Sequence, residues 1–546
     1  MEKSTFFNSE VGVFFKKNIE TISFGLMLCS VLFPLFCVDY LVTGDGPCHF
    51  YNSNILNNWH FKNQASFYKP FYQLNYHLEP NWITNAIQLP LINIFSVIWA
   101  EKIFFLLYFL TFSFGFRRLI VAINPNSVFL SSVGLLFAWS HILMLGFTNN
   151  SWSFALWFWV VAIWIESLHK DSQEKNALLL LFFLLIYFAH PMGMMLSFIS
   201  IACITFFWGI FISKKALDIF QFYKTQFLRI ILVAGPAIIL FLHFFLRKEW
   251  SVEAKKVLSG NDVLGIFKLI ALINVSSKER DLVCGIAIFI LLLFIFALTL
   301  RILNRKIELK DGLFLLSICI LYITFNPPSS FSGGLEIGVR LGVLPYIAMI
   351  FWIAVTNFAN WVKISVPFVA LFFSICLAAV RVPVLINASE YASEIVSVKD
   401  QIQDQSKLLV LNYDWIGRTL DNKEIANRIW LFNHVDCYLG AYKPLVISDN
   451  YEVNFWYFPV IERWETNMYK KTSVEGMTFD NRPPRANFLN YPKEAGGQKI
   501  DYVLMLSYRD EFSQHPYTKE IFTQLDSAYT QVFKSNNARA ILYKLK

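Results

Sequence analysis

Long apolar runs separated by short polar turns fill the first 383 residues, and short apolar runs bounded by polar residues follow. In the first part the apolar stretches fall at 21–38, 101–118, 127–146, 151–167, 177–190, 192–212, 226–246, 282–300, 312–326, 340–358 and 363–383. Most approach the ~20 residues that a helix needs to cross the hydrocarbon core, which predicts about eleven transmembrane helices. The run Trp82–Trp99 reads differently, because it follows Asn81 and carries Asn85, Gln88 and Asn93. It predicts a helix lying on the outer membrane surface, with Trp82 and Trp99 as interfacial anchors.

After residue 383 the period changes. Leu408–Asn412, Leu445–Ser448, Tyr502–Leu506 and Ala540–Tyr543 read as strands, and Asn422–Tyr438 and Thr518–Ala528 as helices. Asn481–Pro492 is Pro-rich and reads as loop. The predicted fold is a polytopic α-helical membrane protein carrying a small C-terminal α/β domain. The expected division is a transmembrane domain 1–383, including a first extracytoplasmic loop 39–100, and a soluble domain 384–546. Neither a solenoid period nor the inverted repeat of many secondary transporters is present in the sequence.

Composition sharpens this picture. Apolar residues make up 56%, charged residues only 16%, and Phe alone accounts for 56 positions, which excludes a disordered chain and an ordinary soluble enzyme. Residues 384–546 hold 19 basic and 20 acidic residues, whereas 1–383 hold 28 and 19. The net positive charge therefore belongs to the membrane part. With a cytoplasmic N-terminus and an uncleaved first helix, alternation places Arg117/Arg118, His169/Lys170/Lys175, Lys214/Lys215/Lys224, Arg301/Arg305/Lys306/Lys310 and Lys363 inside. That distribution obeys the positive-inside rule and puts the tail outside the cytoplasm. The expected location is a plasma (bacterial inner) membrane. No basic run of nucleic-acid-binding type occurs. Of the eight cysteines only Cys48 and Cys437 lie in the outer loop or domain, where one bond between them is open, and no pair has metal-ligand spacing.

The chemistry concentrates in the first outer loop, Val38-Asp39-Tyr40-Leu41-Val42-Thr43-Gly44-Asp45-Gly46-Pro47-Cys48-His49. Two carboxylates and a His leave a membrane helix at the water boundary, and Gly44–Pro47 has the chemistry of a tight turn. A partly desolvated carboxylate there suits a general base that takes the proton of an acceptor hydroxyl. The alternative is an Asp that caps the helix starting near Pro47, with His49 merely interfacial. The loop Asn326–Arg340 is rich in turn formers, includes Glu336 and ends on Arg340, which suits either bidentate contact with a phosphate or snorkelling. His190-Pro191 sits at the turn between two apolar runs. The loop Arg247–Asp281 carries seven basic residues, Arg280 among them, on the outer side, as a surface facing an anionic lipid head group would.

This arrangement resembles the GT-C glycosyltransferases, which include the protein O-mannosyltransferases and the lipid A aminoarabinose transferases. Asp45…His49-Phe50 is similar to the Asp-Glu-x-His-Phe motif of their first loop, and Gly146-Phe147-Thr148-Asn149-Asn150 and His190-Pro191 look like features of bacterial members. Two departures stand out: Gly46 occupies the place where Glu is common, and one residue is added before His49. The resemblance implies Asp45 as catalytic base, with Asp39 as the second acid, and Arg340 on the donor's lipid phosphate. His49 and His190 would line the site by the same resemblance; Glu336 and Arg280, from the outer-loop reading, are expected to bind substrate as well. The resemblance also implies a polyprenyl-phosphate-linked sugar as donor, a glycan, lipid or protein hydroxyl as acceptor, and no organic cofactor, with metal dependence open. Membrane partners docking through 384–546 are expected as well. Two other readings stand beside it: a transporter or flippase of a lipid-linked or small polar solute, and a non-catalytic subunit of a membrane assembly.

Overall fold

The computed structural model describes residues 10–212, 215–247, 259–304, 307–327, 337–474 and 483–546, with side chains from residue 18. Eight of the described helical segments are long and apolar enough to cross a membrane. They are Asn18–Phe36, Val97–Ile123, Pro125–Met144, Thr148–His169, Pro191–Ile212, Ala216–Leu246, Ser277–Asn304 and Asn360–Gln401. The other three expected spans are also helical but shorter: Gln173–Ala189, Gly312–Phe325, and the broken pair Ile337–Leu341 and Leu344–Ile353. Pro345 at the start of the last helix accounts for that break, since it supplies no backbone N–H to continue the preceding turn. Segment Pro125–Met144 is likewise a chain of short 3-10 and α pieces, and nearly all of it is buried.

The chain forms two compact units. The first comprises residues up to Pro34, Leu106–Ile142 and Asn150–Val380. Its Phe content becomes intelligible in one cluster: Phe112 and Phe116 meet Phe158 edge-on at 5.1 and 5.2 Å, and Phe351 lies 5.5 Å from both Phe116 and Trp157. Edge-to-face rings fill the helix interfaces where lipid gives no hydrophobic drive to association. Three arginines of these helices are paired with carboxylates. Arg118 makes a two-pronged bond to Glu166 (2.9 and 2.8 Å), Arg117 pairs with Glu20, and Arg229 with Asp171.

The second unit comprises 35–105, 143–149 and 381–546. Its centre is a five-stranded mixed sheet. In chain order the unit's strands are β1 Tyr72–Leu74, β2 Ser406–Asn412, β3 Leu445–Ile447, β4 Val460–Glu462, β5 Tyr502–Leu506, β6 Tyr529–Lys534 and β7 Ala540–Leu545. The sheet order is β3-β2-β5-β7-β6, with β2 parallel to β3 and β5, and β7 antiparallel to β5 and β6. The four expected strands are present, and β6 is an additional edge strand whose exposed side chains hid it among polar residues. Strand β1, from the first loop, pairs antiparallel with β4.

One expectation needs correction here. Segment 422–436 is not helical: Asn422 has φ +59°, and Asn412 and Trp415 hold the backbone of Phe432 in an irregular turn, leaving only Cys437–Tyr442 as helix. Helix Ile83–Ile94 is too short to span, and the Trp82 indole at its start donates to the Tyr457 carbonyl (3.0 Å). Asn85 and Gln88, the polar interruptions of that run, instead serve packing. Asn85 donates to the His49 carbonyl (3.2 Å) and Ser53 Oγ (3.0 Å), and Gln88 accepts from Ser53 (3.0 Å).

Candidate active site

The first loop is held by a short backbone pairing with the segment before Thr148. Gly44 N–H donates to the Met144 carbonyl (2.9 Å) and Asp45 N–H to the Leu145 carbonyl (3.0 Å). The two backbones approach so closely that glycine is required on both sides. A Cβ on Gly44 would lie 2.6 Å from the Leu145 oxygen, and one on Gly146 would lie 2.3 Å from Asp45 N. Gly146 also has φ +86°, a left-handed conformation that side chains disfavour. Downstream of this clamp, Thr148 Oγ1 and Thr84 Oγ1 share a 2.8 Å hydrogen bond and Asn149 accepts from Thr84 N–H (3.0 Å). The Gly146–Asn149 motif thus acts as a scaffold for the Asp45 turn.

Helix Gly46–His60 starts directly after Asp45, with Pro47 in its first turn. Asp45 stands in the capping position, yet its side chain makes no capping bond. The carboxylate instead accepts from the Tyr451 hydroxyl and faces His434, His49 and Glu452. It remains half-buried, whereas its neighbours Gly44, Gly46, Cys48 and His49 are buried. Burial raises its pKa, and the two histidines and Tyr451 offset only part of that rise.

Each histidine is backed by a carboxylate. His49 Nε2 donates to the Gly146 carbonyl (3.1 Å), and its Nδ1 pairs with Glu452. With oxygen acceptors at both nitrogens the ring is built as an imidazolium. Burial lowers its pKa, but the charge and hydrogen bond of Glu452 outweigh burial and leave it raised. Glu452 is itself held by Asn52 Nδ2 (2.6 Å), and Asn52 pairs with Asn450. His434 Nδ1 lies 3.1 Å from Asp449, and its ring stacks on Tyr451 at 4.8 Å. Burial opposes the charge of His434 as well, but Asp449 carries its pKa to about 9. Behind this pair, burial and the Asp449 charge push the Asp436 carboxyl well up.

No family model and no curated protein matches the chain. The chain is similar to the apo crystal structure of the Archaeoglobus fulgidus oligosaccharyltransferase. Identity is 9%, the TM-score is 0.46, and the match covers 90% of this chain and 69% of that one. That likeness carries no residue role across.

Of the residues singled out in the sequence, Asp45 and His49 come together. Asp39 does not join them: it is exposed, and its backbone N–H donates to Ser389 Oγ (3.1 Å). The carboxylates around Asp45 and its histidines are Glu452, which faces Asp45, and Asp449 and Asp436, which face His434, none of them an expected site residue. A second group forms in the other unit, where Arg340 Nη1 lies 3.3 Å from His190 Nε2 and Asn150 Nδ2 lies 3.3 Å from His190 Nδ1. His190 Nδ1 also accepts the Met192 N–H (3.1 Å). Arg280 is exposed as the first residue of helix Arg280–Asn304. Glu336 lies outside the described residues, as do Lys248, Lys255 and Lys256 of the basic loop. Among the described residues no set of three or more His, Cys, Asp or Glu is arranged to hold a metal ion. His434, Asp449, Tyr451 and Glu452 escaped sequence reasoning. Their signal was the density of polar residues in Asn433-His434-Val435-Asp436 and Asp449-Asn450-Tyr451-Glu452, on either side of a buried strand.

Proposed function

We propose that the chain is a membrane glycosyltransferase of GT-C type that moves a sugar from a polyprenyl-phosphate donor to an extracytoplasmic hydroxyl. One observation supports this best: Asp45 occupies a helix-capping position without capping, and the residue is only partly buried, with a raised proton affinity. A carboxylate of that kind is a stronger base than a solvated one and is free to meet a substrate proton. In the reaction the acceptor oxygen attacks the anomeric carbon while its proton passes to Asp45. The bond from that carbon to the phosphate oxygen breaks, and polyprenyl phosphate leaves. Imidazolium rings at His49 and His434 keep Asp45 ionised in a site that otherwise favours its neutral form. Tyr451 orients the carboxylate through its hydrogen bond.

Arg340 is assigned to the donor's phosphate oxygens, because a guanidinium offers two parallel donors to them. Replacing Asp45 by Asn in native membranes, with insertion verified, tests the reading. Extracytoplasmic glycans that lose one sugar while its lipid-linked donor accumulates support it. An unchanged glycan profile removes it.

A further inference from the structure

The helix that carries His49 and the helix that follows Asp436 meet at two sulfurs. Cys48 Sγ and Cys437 Sγ lie 3.2 Å apart, and both residues are fully buried. Cys48 follows Asp45 by three positions and its N–H donates to the Asp45 carbonyl (3.1 Å), while Cys437 donates to the Asp449 carbonyl (3.1 Å). The other six cysteines sit in or beside apolar helices, and in sequence these two alone fall in segments assigned outside the cytoplasm.

We infer that Cys48 and Cys437 form a disulfide that ties the Asp45 turn to the segment bearing His434 and Asp449. The inference stands whether or not the chain transfers a sugar. The sulfurs must close by about 1 Å to reach the ~2.05 Å bond, a movement within reach of side-chain torsions. Burial pushes both thiols up, Cys437 to about 12, so in the folded protein they are protonated and unreactive. Bond formation therefore precedes closure of the site. One thiolate attacks a disulfide-bearing protein oxidant of the outer compartment, giving a mixed disulfide and releasing one oxidant thiol. The second thiolate attacks the mixed disulfide, forms the Cys48–Cys437 bond and releases the other. Two electrons and two protons end on the oxidant. Because the bond closes a loop of nearly four hundred residues, it removes much of the unfolded chain's freedom.

The test uses the full-length protein from its native membrane, lysed in the presence of a thiol alkylator, denatured and digested without reductant. The expected result is a peptide pair joining Cys48 to Cys437 in most of the protein, split by reductant, with the alkyl group on the remaining cysteines. Alkylation of both Cys48 and Cys437 in most of the protein overturns the inference. A second measurement compares Cys48→Ser, Cys437→Ser and the double variant in thermal unfolding. A disulfide predicts the same loss of Tm in all three; losses that add in the double variant describe two independent thiols.

Discussion

The Tyr451 hydroxyl donates to the Asp45 carboxylate, across roughly four hundred residues of chain, while the helix beginning one residue after Asp45 goes uncapped by it. Asp45 is thereby committed to a site rather than to local structure. That commitment has consequences that can be measured separately.

The first concerns stability. The carboxyl of Asp45 has a folded pKa above its unfolded value, so its ionisation costs stability. The sign follows from linkage: stability is full below the unfolded value near ~3.9 and falls as pH rises through the raised folded value. Asp45→Asn removes that ionisation and still accepts from Tyr451. The variant is expected to unfold at the same temperature as wild type or higher at pH 7, as scanning calorimetry in detergent will show. A drop of many degrees would contradict the assigned environment.

In the proposed reaction His434 sets the acid side of the pH profile. Its charge lowers the Asp45 pKa, so His434→Gln should let the carboxyl rise further. The acid limb of the transfer rate then moves to higher pH. His434 also has a folded pKa raised from 6.5 to about 9, so its ion pair with Asp449 stabilises fully below 6.5 and is lost as pH rises through about 9. In wild type Tm should decline across that window, and in His434→Gln the decline should flatten. An acid limb that stays in place or moves to lower pH would argue that His434 does not face Asp45.

Gly146→Ala probes the clamp beneath the turn. Its Cβ would meet Asp45 N at 2.3 Å and Gly46 N at 2.6 Å, and the left-handed backbone adds about 1–3 kcal/mol of strain. Backbone cannot step aside as a flexible side chain does. The variant is expected to lose both thermal stability and activity, whereas Gly25→Ala, where a Cβ meets nothing within 4 Å, should keep both.

Arg340→Ala is expected to weaken binding of a polyprenyl phosphate at least tenfold, measured as displacement of a fluorescent analogue in nanodiscs. Arg340→Lys should recover only part, because an ammonium lacks the planar fork of donors. Unchanged affinity in Arg340→Ala would remove this residue from the donor site.

Much of this was legible in the chain. The length of the apolar runs marked the membrane helices, and the short runs at 408, 445, 502 and 540 marked four strands, because burial on both faces leaves no polar alternation to confuse the pattern. The Gly-Asp-Gly-Pro turn singled out Asp45. Its partners were not legible. His434 lies in a stretch whose apolar spacing imitates a helix, and only tertiary hydrogen bonds from Asn412 and Trp415 show it to be irregular. Asp39 drew attention by closeness in sequence, but Glu452 and His434, which face Asp45, arrive from the far end of the chain, which no local pattern can report.

The central claim is that Asp45, and not Asp39, is the base. The most direct measurement is the single-turnover rate of sugar transfer from a polyprenyl-phosphate donor by Asp45→Asn and Asp39→Asn, each reconstituted and shown to be folded. The expected result is a loss of at least about a hundredfold for Asp45→Asn, the usual worth of a general base, and a rate within twofold of wild type for Asp39→Asn. A near-normal rate in Asp45→Asn, or a comparable loss in Asp39→Asn, would contradict it.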